Sequence, residues 1–305
     1  MEIHTCLRSS VKAFNFEEED YEPLREAFPK AKFKDHDSYD SLKSWGSRAR
    51  VLLTWSLRSK DYKLFPNLKA VITPAAGNDW VEADPTGKAS VFYGTFHGEI
   101  MRESILGAVL FMNQKMNLMV KNYQNRNWDR NIQSQCRLLK NQTILIIGHG
   151  SIGKRCSSLF KGLGSNVLAI NRSGGNEEEG VFGVEFLSEL LPEADHIIVI
   201  LPRIESELGF LDKELLFLCK PGAFVYNFGR GNAIKSEALE STLSHLGGVF
   251  LDVTDTEPLP KESKLWGNEK IMITPHSSCV YMEYKSLFID DAIELVSGFK
   301  TSLNP

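Results

Sequence analysis

The stretch ILIIGHGSIGKRC, residues 144–156, restricts the fold of this chain more than any other segment. Four apolar residues, Ile144 to Ile147, predict a buried strand. Three glycines follow that strand: Gly148, Gly150 and Gly153. In a dinucleotide-binding turn such glycines make the tight turn, admit a pyrophosphate close to the backbone, and let the next helix pack on the strand. A purely structural strand, turn and helix has the same pattern, so the surrounding sequence must decide between the two interpretations.

The sequence around this turn alternates regularly between short apolar strands and helical segments. Six strands are predicted, at Thr143–Ile147, Asn166–Ile170, His196–Leu201, Ala223–Asn227, Gly248–Leu251 and Ile271–Ile273. Helical segments lie between most of them, such as Ser236–Ser244, which Ser236 is suited to cap. This order predicts an α/β fold of the Rossmann type, in which a doubly wound parallel sheet is covered by helices on both faces. The glycine turn follows the first strand, which favours the dinucleotide interpretation.

The N-terminal part of the chain also has an α/β rhythm. Its predicted strands are Ile3–Cys6, Val51–Thr54, Leu68–Thr73 and Val91–Phe92, with a helix near Tyr21–Phe28. Apolar residues at helical spacing from Gly98 to Lys121 predict one extended helix. Met282–Phe299 predicts a terminal helix, which we expect to return to the first domain.

Composition narrows the class of partner. The chain has 305 residues, a formal charge of −4 and no long run of lysine or arginine, which argues against nucleic acid or an anionic membrane and favours small molecules. No apolar run approaches the roughly 20 residues of a membrane span, and MEIHTCLRSS lacks the plan of a signal peptide, so we expect a cytoplasmic protein. The five cysteines are scattered without C-x-x-C spacing, which predicts buried free thiols and no metal site.

The end of the second strand indicates which dinucleotide binds. An acidic residue at this point would accept a hydrogen bond from the ribose 2′-hydroxyl of NAD. Here the strand VLAI is followed by Asn171, Arg172 and Ser173, none of which is a carboxylate. Arg172 can pair with a 2′-phosphate, and its two neighbours can donate neutral hydrogen bonds. The sequence therefore predicts NADP(H) in preference to NAD(H), although an arginine here can also be a solvated surface residue.

Charged side chains follow the later strands at their carboxyl ends, where an open α/β sheet has its active site. Arg230 follows the fourth strand, Asp252 and Glu257 follow the fifth, and His276 follows the sixth. Because parallel strands end at the same edge of a sheet, we expect these four side chains to lie near one another. Taken singly, Arg230 could also form a surface ion pair and Glu257 could be a turn residue before Pro258. His276 could be a hydrogen-bonded histidine at a strand end without a catalytic role.

These stretches together resemble the D-isomer-specific 2-hydroxyacid dehydrogenases over nearly the whole chain. The matching segments are GHGSIGK, LP at Leu201 and Pro202, KPGAFVYNFGRGNAIKSEAL, LDVTDTEPLP, LW at Leu265 and Trp266, and ITPHSS. Within that family the chain is most similar to the NADPH-dependent glyoxylate/hydroxypyruvate reductases, whose second strand also ends in a short polar-Arg-Ser/Thr sequence. The resemblance implies hydride transfer from NADPH to a small 2-oxo acid, which gives the D-2-hydroxy acid.

The resemblance also implies roles for the charged residues. Arg230 would grip the carboxylate and the ketone of the substrate and polarise the C=O bond. His276 would deliver the proton as general acid, since imidazole titrates near neutral pH. Glu257 would hold the imidazole in orientation and favour its charged form. The family's aspartate maps onto Asp252, which is expected to bond the nicotinamide amide.

Binding residues and domains are implied in the same way. The expected cofactor-binding residues are Gly148, His149, Gly150, Ser151, Ile152, Gly153, Asn171, Arg172, Ser173, Leu201, Pro202, Phe228, Gly229, Asp252 and Ser278. The expected substrate-binding residues are Ala76, Gly77, Asn78, Arg230 and His276. Residues 1–98 and 278–305 would form a smaller, flavodoxin-like substrate domain, and residues 99–277 the dinucleotide-binding domain. The family and the apolar methionines from Met112 to Met119 favour a homodimer.

Other functions remain open at the sequence level. A dinucleotide-sensing binding protein of the same fold, similar to the C-terminal-binding-protein corepressors, would have the same motifs. An NAD-linked dehydrogenase of another 2-hydroxy acid is a further alternative. Formate oxidation is disfavoured, because that branch of the family pairs its histidine with glutamine and this chain has Glu257. The sequence leaves open the exact 2-oxo acid, the physiological direction, and the roles of Arg58, Arg203 and Ser277.

Overall fold

The computed structural model describes residues 1–302, which fold as two compact units. Unit 1 contains Met1–His97 and the chain from Val280 onward, and unit 2 contains Gly98–Cys279. The strands are β1 Glu2–Cys6, β2 Lys32–Asp35, β3 Val51–Thr54, β4 Ala70–Thr73, β5 Ser90–Tyr93, β6 Thr143–Ile147, β7 Asn166–Ile170, β8 Val181–Phe182, β9 His196–Val199, β10 Phe224–Asn227, β11 Gly248–Leu251 and β12 Ile271–Ile273. The helices are α1 Glu22–Ala27, α2 Tyr39–Trp45, α3 His97–Asn113, α4 Met116–Gln124, α5 Ser151–Gly162, α6 Leu187–Leu190, α7 Lys213–Leu218, α8 Ser236–Thr242 and α9 Tyr284–Ser302.

Unit 1 is built on a sheet of five parallel strands in the order β2-β1-β3-β4-β5. This is the flavodoxin-like order, in which the chain changes direction of winding between β1 and β3. Its central strands β3 and β4 are buried on both faces, as expected for a parallel sheet covered by helices. The edge strand β2, KFKD, alternates between exposed and half-buried residues. That polar alternation is why the sequence analysis did not predict β2.

Unit 2 is built on seven parallel strands in the order β12-β11-β10-β9-β6-β7-β8. The order places β6 next to β9, so the point where the winding reverses lies between these strands, and ligands of such sheets bind at that point. Apolar side chains cover both faces of the sheet, with Leu145, Ile147 and Val225 in one cluster and Ile144, Ile146 and Tyr226 in the other. The predicted doubly wound α/β sheet is confirmed, with β8 as a seventh strand that the sequence analysis did not predict.

The prediction of one extended helix from Gly98 to Lys121 is wrong. The chain forms α3 and α4, and Lys115 between them has a left-handed backbone with φ 56°. The Lys115 N–H donates to the carbonyl three residues earlier, Met112 O, at 3.1 Å, whereas an α-helix bonds residues four apart. The Lys115 ammonium lies 5.6 Å from the centre of the Phe224 ring. Apolar spacing continues across the break, which is why the pattern did not reveal it.

Two further expectations are corrected. Ser236 is the first residue of α8 and not its cap, since its N–H and hydroxyl both donate to the Asp255 carboxylate while Lys235 occupies the capping position. All five cysteines are free thiols, but only Cys6, Cys156 and Cys219 are buried, and the other two are partly exposed.

Candidate active site

Two glycines of the loop after β6 are required by the backbone itself. Gly148 has φ +107°, and a Cβ on it would lie 2.3 Å from Ile200 O. A Cβ on Gly153 would lie 2.2 Å from Gly148 O, so only glycine lets α5 start this close to the strand. Gly148 and Gly153 therefore fix the tight strand-turn-helix geometry.

Gly150 differs, because apart from its two chain neighbours no residue in the described part of the chain has an atom within 4 Å of the position of an added Cβ. It precedes α5, a helix of 12 residues whose first N–H groups have no intrahelical partner, and as a glycine it has no side chain that could cap them. A helix N-terminus with open space before it binds anions. The loop therefore fits the pyrophosphate of a dinucleotide. Its other predicted residues are placed differently, since Ser151 is exposed and Ile152 packs against an apolar cluster.

His149 is the second residue of the glycine loop, and its backbone contacts the end of β7. Its N–H donates to Ile170 O at 3.2 Å, and its Nε2 lies 3.0 Å from Ser157 Oγ of α5. Burial lowers the pKa of His149, and the positive charges of Lys154 and Lys161 lower it further. The ring is therefore neutral near neutral pH.

The residues after β7 form a turn at the carboxyl edge. The Asn171 N–H donates to Phe182 O at 2.9 Å, and its own carbonyl accepts from Gly174 N–H at 3.2 Å. Arg172 and Ser173 are exposed in this turn. Within residues 1–302, no ion pair or side-chain hydrogen bond engages the Arg172 guanidinium, so it is available to an anionic ligand.

Three predicted catalytic residues line one pocket of about 620 Å³ that lies within unit 2. Its walls are formed by Arg203, Ile204, Glu205, Ser206, Glu207, Arg230, Gly231, Asn232, Lys235, Thr254, Asp255, Glu257 and His276. Nearly all of these are charged or polar. The convergence that the strand ends predict is therefore present for Arg230, Glu257 and His276.

The backbone of Arg230 is held by the end of β10. The Asn227 side chain bridges this turn, donating from Nδ2 to Arg230 O at 3.1 Å and accepting from Gly229 N–H at 3.2 Å. A Cβ on Gly229 would lie 2.3 Å from Leu201 O, so glycine allows the segments after β9 and β10 to touch. The Arg230 guanidinium donates to Gly229 O at 3.1 Å. These contacts fix the direction in which Arg230 leaves the strand.

His276 and Glu257 form the polar contact expected of a general acid and its orienting carboxylate. His276 Nδ1 lies 2.9 Å from Glu257 Oε2, while Glu257 Oε1 accepts from Thr254 N–H at 3.1 Å. The side chains are 48% and 39% exposed, so this pair adds little to stability. The geometry of the pair is that of a proton donor: with Nδ1 directed to the carboxylate, Nε2 is the nitrogen that can give up a proton.

The backbone at His276 is left-handed, with φ 51°, which is uncommon for a residue with a side chain. Its N–H is held by Asp252 O at 2.8 Å and Thr274 O at 3.0 Å. The buried Asp252 carboxylate also accepts from the Thr274 hydroxyl and from the N–H groups of Ser277 and Ser278. Asp252 therefore shapes the loop that presents His276, and its contact with a nicotinamide amide stays a prediction.

The remaining predicted cofactor residues are a mixed set. Phe228 is buried and stacks on Phe250 at 5.5 Å, so any contact with a ligand would come from its backbone. Ser278 is also buried, and its carbonyl accepts from Ser104 Oγ at 2.9 Å. Leu201 is half-buried and Pro202 is exposed at the carboxyl edge.

In unit 1 the predicted substrate residues follow β4. Ala76 and Asn78 are exposed, and Gly77 is partly exposed. Arg58, whose role the sequence left open, pairs with Glu82 Oε1 at 3.2 Å and lies 3.5 Å from Asp79 O.

Asn232 and Lys235 also line the pocket, although the sequence did not predict them as site residues. Asn232 Nδ2 donates to Ile204 O at 2.5 Å, which ties the loop after β9 to the turn after β10. Lys235 lies at the pocket wall and forms no ion pair with the residues that the structure describes. Both lie in the segment NAIK, which begins two residues after Arg230. Their position soon after the end of β10 was the sequence signal that could have identified them as pocket residues.

Residues 1–302 contain no group of three or more His, Cys, Asp or Glu side chains arranged to hold a metal ion. None of the helices in that part of the chain is both long enough and apolar enough to cross a lipid bilayer.

Fold and pocket together define a dinucleotide-dependent α/β protein with an arginine, a glutamate and a histidine at one sheet edge. Residues 106–278 match the family model described as D-isomer specific 2-hydroxyacid dehydrogenase, NAD binding domain. The chain belongs to this family.

Relatives and solved structures agree with this assignment. A glyoxylate reductase from Thermococcus onnurineus is 34% identical over 139 residues, which are 44% of this chain and 41% of the relative. A D-3-phosphoglycerate dehydrogenase from Mycobacterium tuberculosis is 28% identical over 252 residues, 79% of this chain and 47% of the relative. The chain thus spans about half the length of these relatives. A D-isomer specific 2-hydroxyacid dehydrogenase from Xanthobacter autotrophicus, solved with NADPH and MES, superimposes with a TM-score of 0.81 at 22% identity, covering 97% of this chain and 95% of that one.

Proposed function

We propose that the chain is an NADPH-dependent reductase that converts a small 2-oxo acid, of the glyoxylate or hydroxypyruvate type, into the D-2-hydroxy acid. The observation that carries the proposal is the 2.9 Å contact between His276 Nδ1 and Glu257 Oε2 in a pocket that Arg230 also lines. A cation, a proton donor and an orienting carboxylate are the groups that reduction of a 2-oxo acid requires.

Each residue has a distinct part in the reaction. The bound dinucleotide would supply the hydride. Arg230 binds the substrate carboxylate and stabilises the negative charge that grows on the ketone oxygen. His276 donates its Nε2 proton to that oxygen and is left neutral, and solvent then reprotonates it. Glu257 keeps the imidazole in the orientation that directs Nε2 away from the carboxylate.

The preference for NADPH rests on Arg172. It is exposed beside Asn171 and Ser173 at the end of β7, where the adenosine ribose of a dinucleotide binds in this fold. No acidic residue stands in this turn to bond a 2′-hydroxyl or repel a 2′-phosphate. Pairing of Arg172 with the 2′-phosphate would favour NADPH.

The pocket also favours a small, polar substrate. Of its wall residues only Ile204 has an apolar side chain larger than a methyl group. A bulky aromatic or branched aliphatic substituent would find few apolar partners here, whereas the hydroxyl of hydroxypyruvate would find several hydrogen-bonding groups.

Initial rates of NADPH and NADH oxidation with glyoxylate, hydroxypyruvate, pyruvate and phenylpyruvate test the proposal. We expect turnover with the two small polar acids and NADPH, and about tenfold or more loss of the NADPH preference in Arg172→Asp. Lys140→Asp is the matched control, because it makes the same charge change at an exposed residue before β6, at the opposite edge of the sheet. Dinucleotide binding without reduction of any 2-oxo acid would contradict the proposal and favour the dinucleotide-sensing binding protein.

We also propose that the protein is a homodimer. Several large apolar side chains of unit 2 are exposed around α4 and the segment after it: Met116, Val120, Tyr123, Trp128 and Leu138. Tyr123 and Trp128 are 85% and 86% exposed, which is unusual for aromatic residues of a monomer. Light scattering should give the mass of a dimer, and Val120→Lys should shift it toward the monomer; a monomeric wild-type protein contradicts the proposal.

A further inference from the structure

One feature of the glycine loop has no part in the proposed chemistry: the histidine at its second position. His149 stands between two residues of the dinucleotide turn, and its backbone N–H donates to Ile170 O, the last residue of β7. Arg172 is the second residue after Ile170. His149 and Arg172, the residue proposed to bind the 2′-phosphate, therefore follow neighbouring strands at the same edge of the sheet.

One nitrogen of the His149 ring is hydrogen-bonded within the described part of the chain, and the other is not. Nε2 lies 3.0 Å from Ser157 Oγ, whereas Nδ1 has no hydrogen-bond partner in the described part of the chain. The side chain is partly exposed, so protons and ligands can reach it. A second positive charge can therefore develop here without breaking the contact to α5.

The charges around the ring are all positive. Lys154 and Lys161 of α5 are the charges that act on the ring, and Arg172 follows β7, the strand that pairs with β6. Among residues 1–302, no carboxylate contributes to the electrostatics of the ring. Burial and these lysines lower the pKa of His149 in the free protein. An anion bound at this edge would reverse that effect, because a nearby negative charge favours the protonated imidazole.

We propose that His149 is a specificity-determining residue that takes up a proton when the 2′-phosphate of NADPH binds beside Arg172. The inference rests on the proposed NADPH preference and deepens it. A phosphate monoester carries about −1.5 to −2 charges at pH 7, whereas the 2′-hydroxyl of NADH carries none. By linkage, protons must then strengthen NADPH binding by as much as NADPH strengthens protonation. The preference for NADPH over NADH should therefore increase as the pH falls.

The first test is the ratio of the dissociation constants of NADH and NADPH, measured without substrate by nucleotide fluorescence. In the wild-type protein we expect this ratio to rise about three- to tenfold between pH 8 and pH 6.5, although the phosphate itself loses part of its second charge in this range, which by itself would lower the ratio. In His149→Gln, which keeps a hydrogen-bonding group toward Ser157 but cannot be protonated, the ratio should not rise. His245→Gln is the matched control, since His245 is a partly exposed histidine of unit 2 that contacts Cys219 O.

Calorimetry in buffers of different ionisation enthalpy gives the second readout. Near pH 7 the wild-type protein should take up more protons with NADPH than His149→Gln does, and the two proteins should match with NADH. Equal proton uptake with both dinucleotides would assign His149 to the shared pyrophosphate and overturn the inference.

The wild-type pH series needs no variant and separates the two proposals. A ratio that favours NADPH equally at all pH values overturns the role of His149 and leaves the NADPH preference standing. A ratio near one at pH 8 that still rises as the pH falls weakens the NADPH preference and supports His149. Neither measurement depends on turnover, so failure of the reductase activity is judged separately.

Discussion

The two sheets are built on the same principle but differ in what stands at their carboxyl edges. In unit 2 the strand ends bring Arg230 and His276 into one pocket. In unit 1 the residue two places after β1, Arg8, is engaged by Asp35, and Trp55 after β3 is stacked on Tyr284 at 6.2 Å. Parallel topology places loops at one edge in both units, and in unit 2 the side chains of Arg230, Glu257 and His276 share one pocket there. The strand order determines which edge of the sheet can hold an active site, and the side chains at that edge determine whether a reaction can occur there.

The largest expected effect concerns the histidine of that edge. His276→Asn should lower kcat/KM for the 2-oxo acid by about 10²–10⁴-fold, because it removes the proton donor. Asparagine tolerates the left-handed backbone that His276 adopts, so the loop should keep its shape. Steady-state kinetics with a thermal unfolding curve for each protein checks this.

The matched control lies in unit 1. His36→Gln replaces a buried histidine whose Nε2 lies 3.0 Å from His4 Nδ1 and whose Nδ1 lies 3.0 Å from Ser41 Oγ. It should change stability and leave kcat/KM nearly unaltered. If the two variants lose activity equally, the contrast between the two edges is wrong.

The second prediction concerns acid, which should affect both units alike. Burial lowers the pKa of His36 in unit 1 and of His196 in unit 2 to about 4, from an ordinary value of 6.5. Between these values the unfolded chain binds a proton that the folded chain does not. The free energy of unfolding therefore falls as the pH drops from 6.5 to 4, by up to about 3 kcal/mol for each ring.

Urea unfolding at pH 7.5, 6 and 5 measures this loss. His196→Asn, which cannot take up a proton, should unfold more easily than wild type at pH 7.5 but lose less stability on acidification. His36→Gln should behave likewise. An unchanged slope in both variants would mean that other groups cause the acid sensitivity.

Sequence predicts structure best in this chain where local pattern and function coincide. The strand Thr143–Ile147 and the strand Gly248–Leu251 have the predicted bounds, because continuous apolar runs flanked by glycine or polar residues specify buried parallel strands. Arg230, Glu257 and His276 were placed by strand ends alone. Strand β2 and the break at Lys115 were missed, because an exposed edge strand and a left-handed residue are decided by tertiary contacts that leave little trace in hydropathy.

The third prediction compares two exposed glycines, one required by its backbone conformation and the other by the proposed contact with the dinucleotide. A Cβ on Gly150 in unit 2 and on Gly87 in unit 1 would each meet no atom within 4 Å, but only Gly87 has a left-handed backbone, with φ +67°. Gly87→Ala should therefore cost about 1 kcal/mol of unfolding free energy and leave dinucleotide binding unaltered. Gly150→Ala should change stability by less than about 1 kcal/mol and weaken dinucleotide binding about tenfold or more, because the methyl group would occupy the space before α5.

Dinucleotide fluorescence titrations and denaturant unfolding of both variants separate these effects. Tight binding by Gly150→Ala would mean that the loop does not bring its backbone close to a pyrophosphate. The dinucleotide interpretation of the motif would then rest on Gly148 and Gly153, whose requirement for glycine is purely structural.

The smallest effect is expected when a charged residue at the carboxyl edge of the sheet in unit 1 is replaced. Arg58 follows β3 in unit 1, as Arg230 follows β10 in unit 2, yet its guanidinium contacts Glu82 and it is 52% exposed. An arginine already paired with a carboxylate has less positive charge to offer a second anion, and an exposed pair contributes little to stability. Arg58→Gln should therefore change KM for the 2-oxo acid by less than about threefold, with Arg230→Gln as the contrasting variant expected to lose about 10²-fold or more in kcat/KM. A large rise in KM for Arg58→Gln, restricted to substrates with a second carboxylate, would show that this edge also selects the substrate.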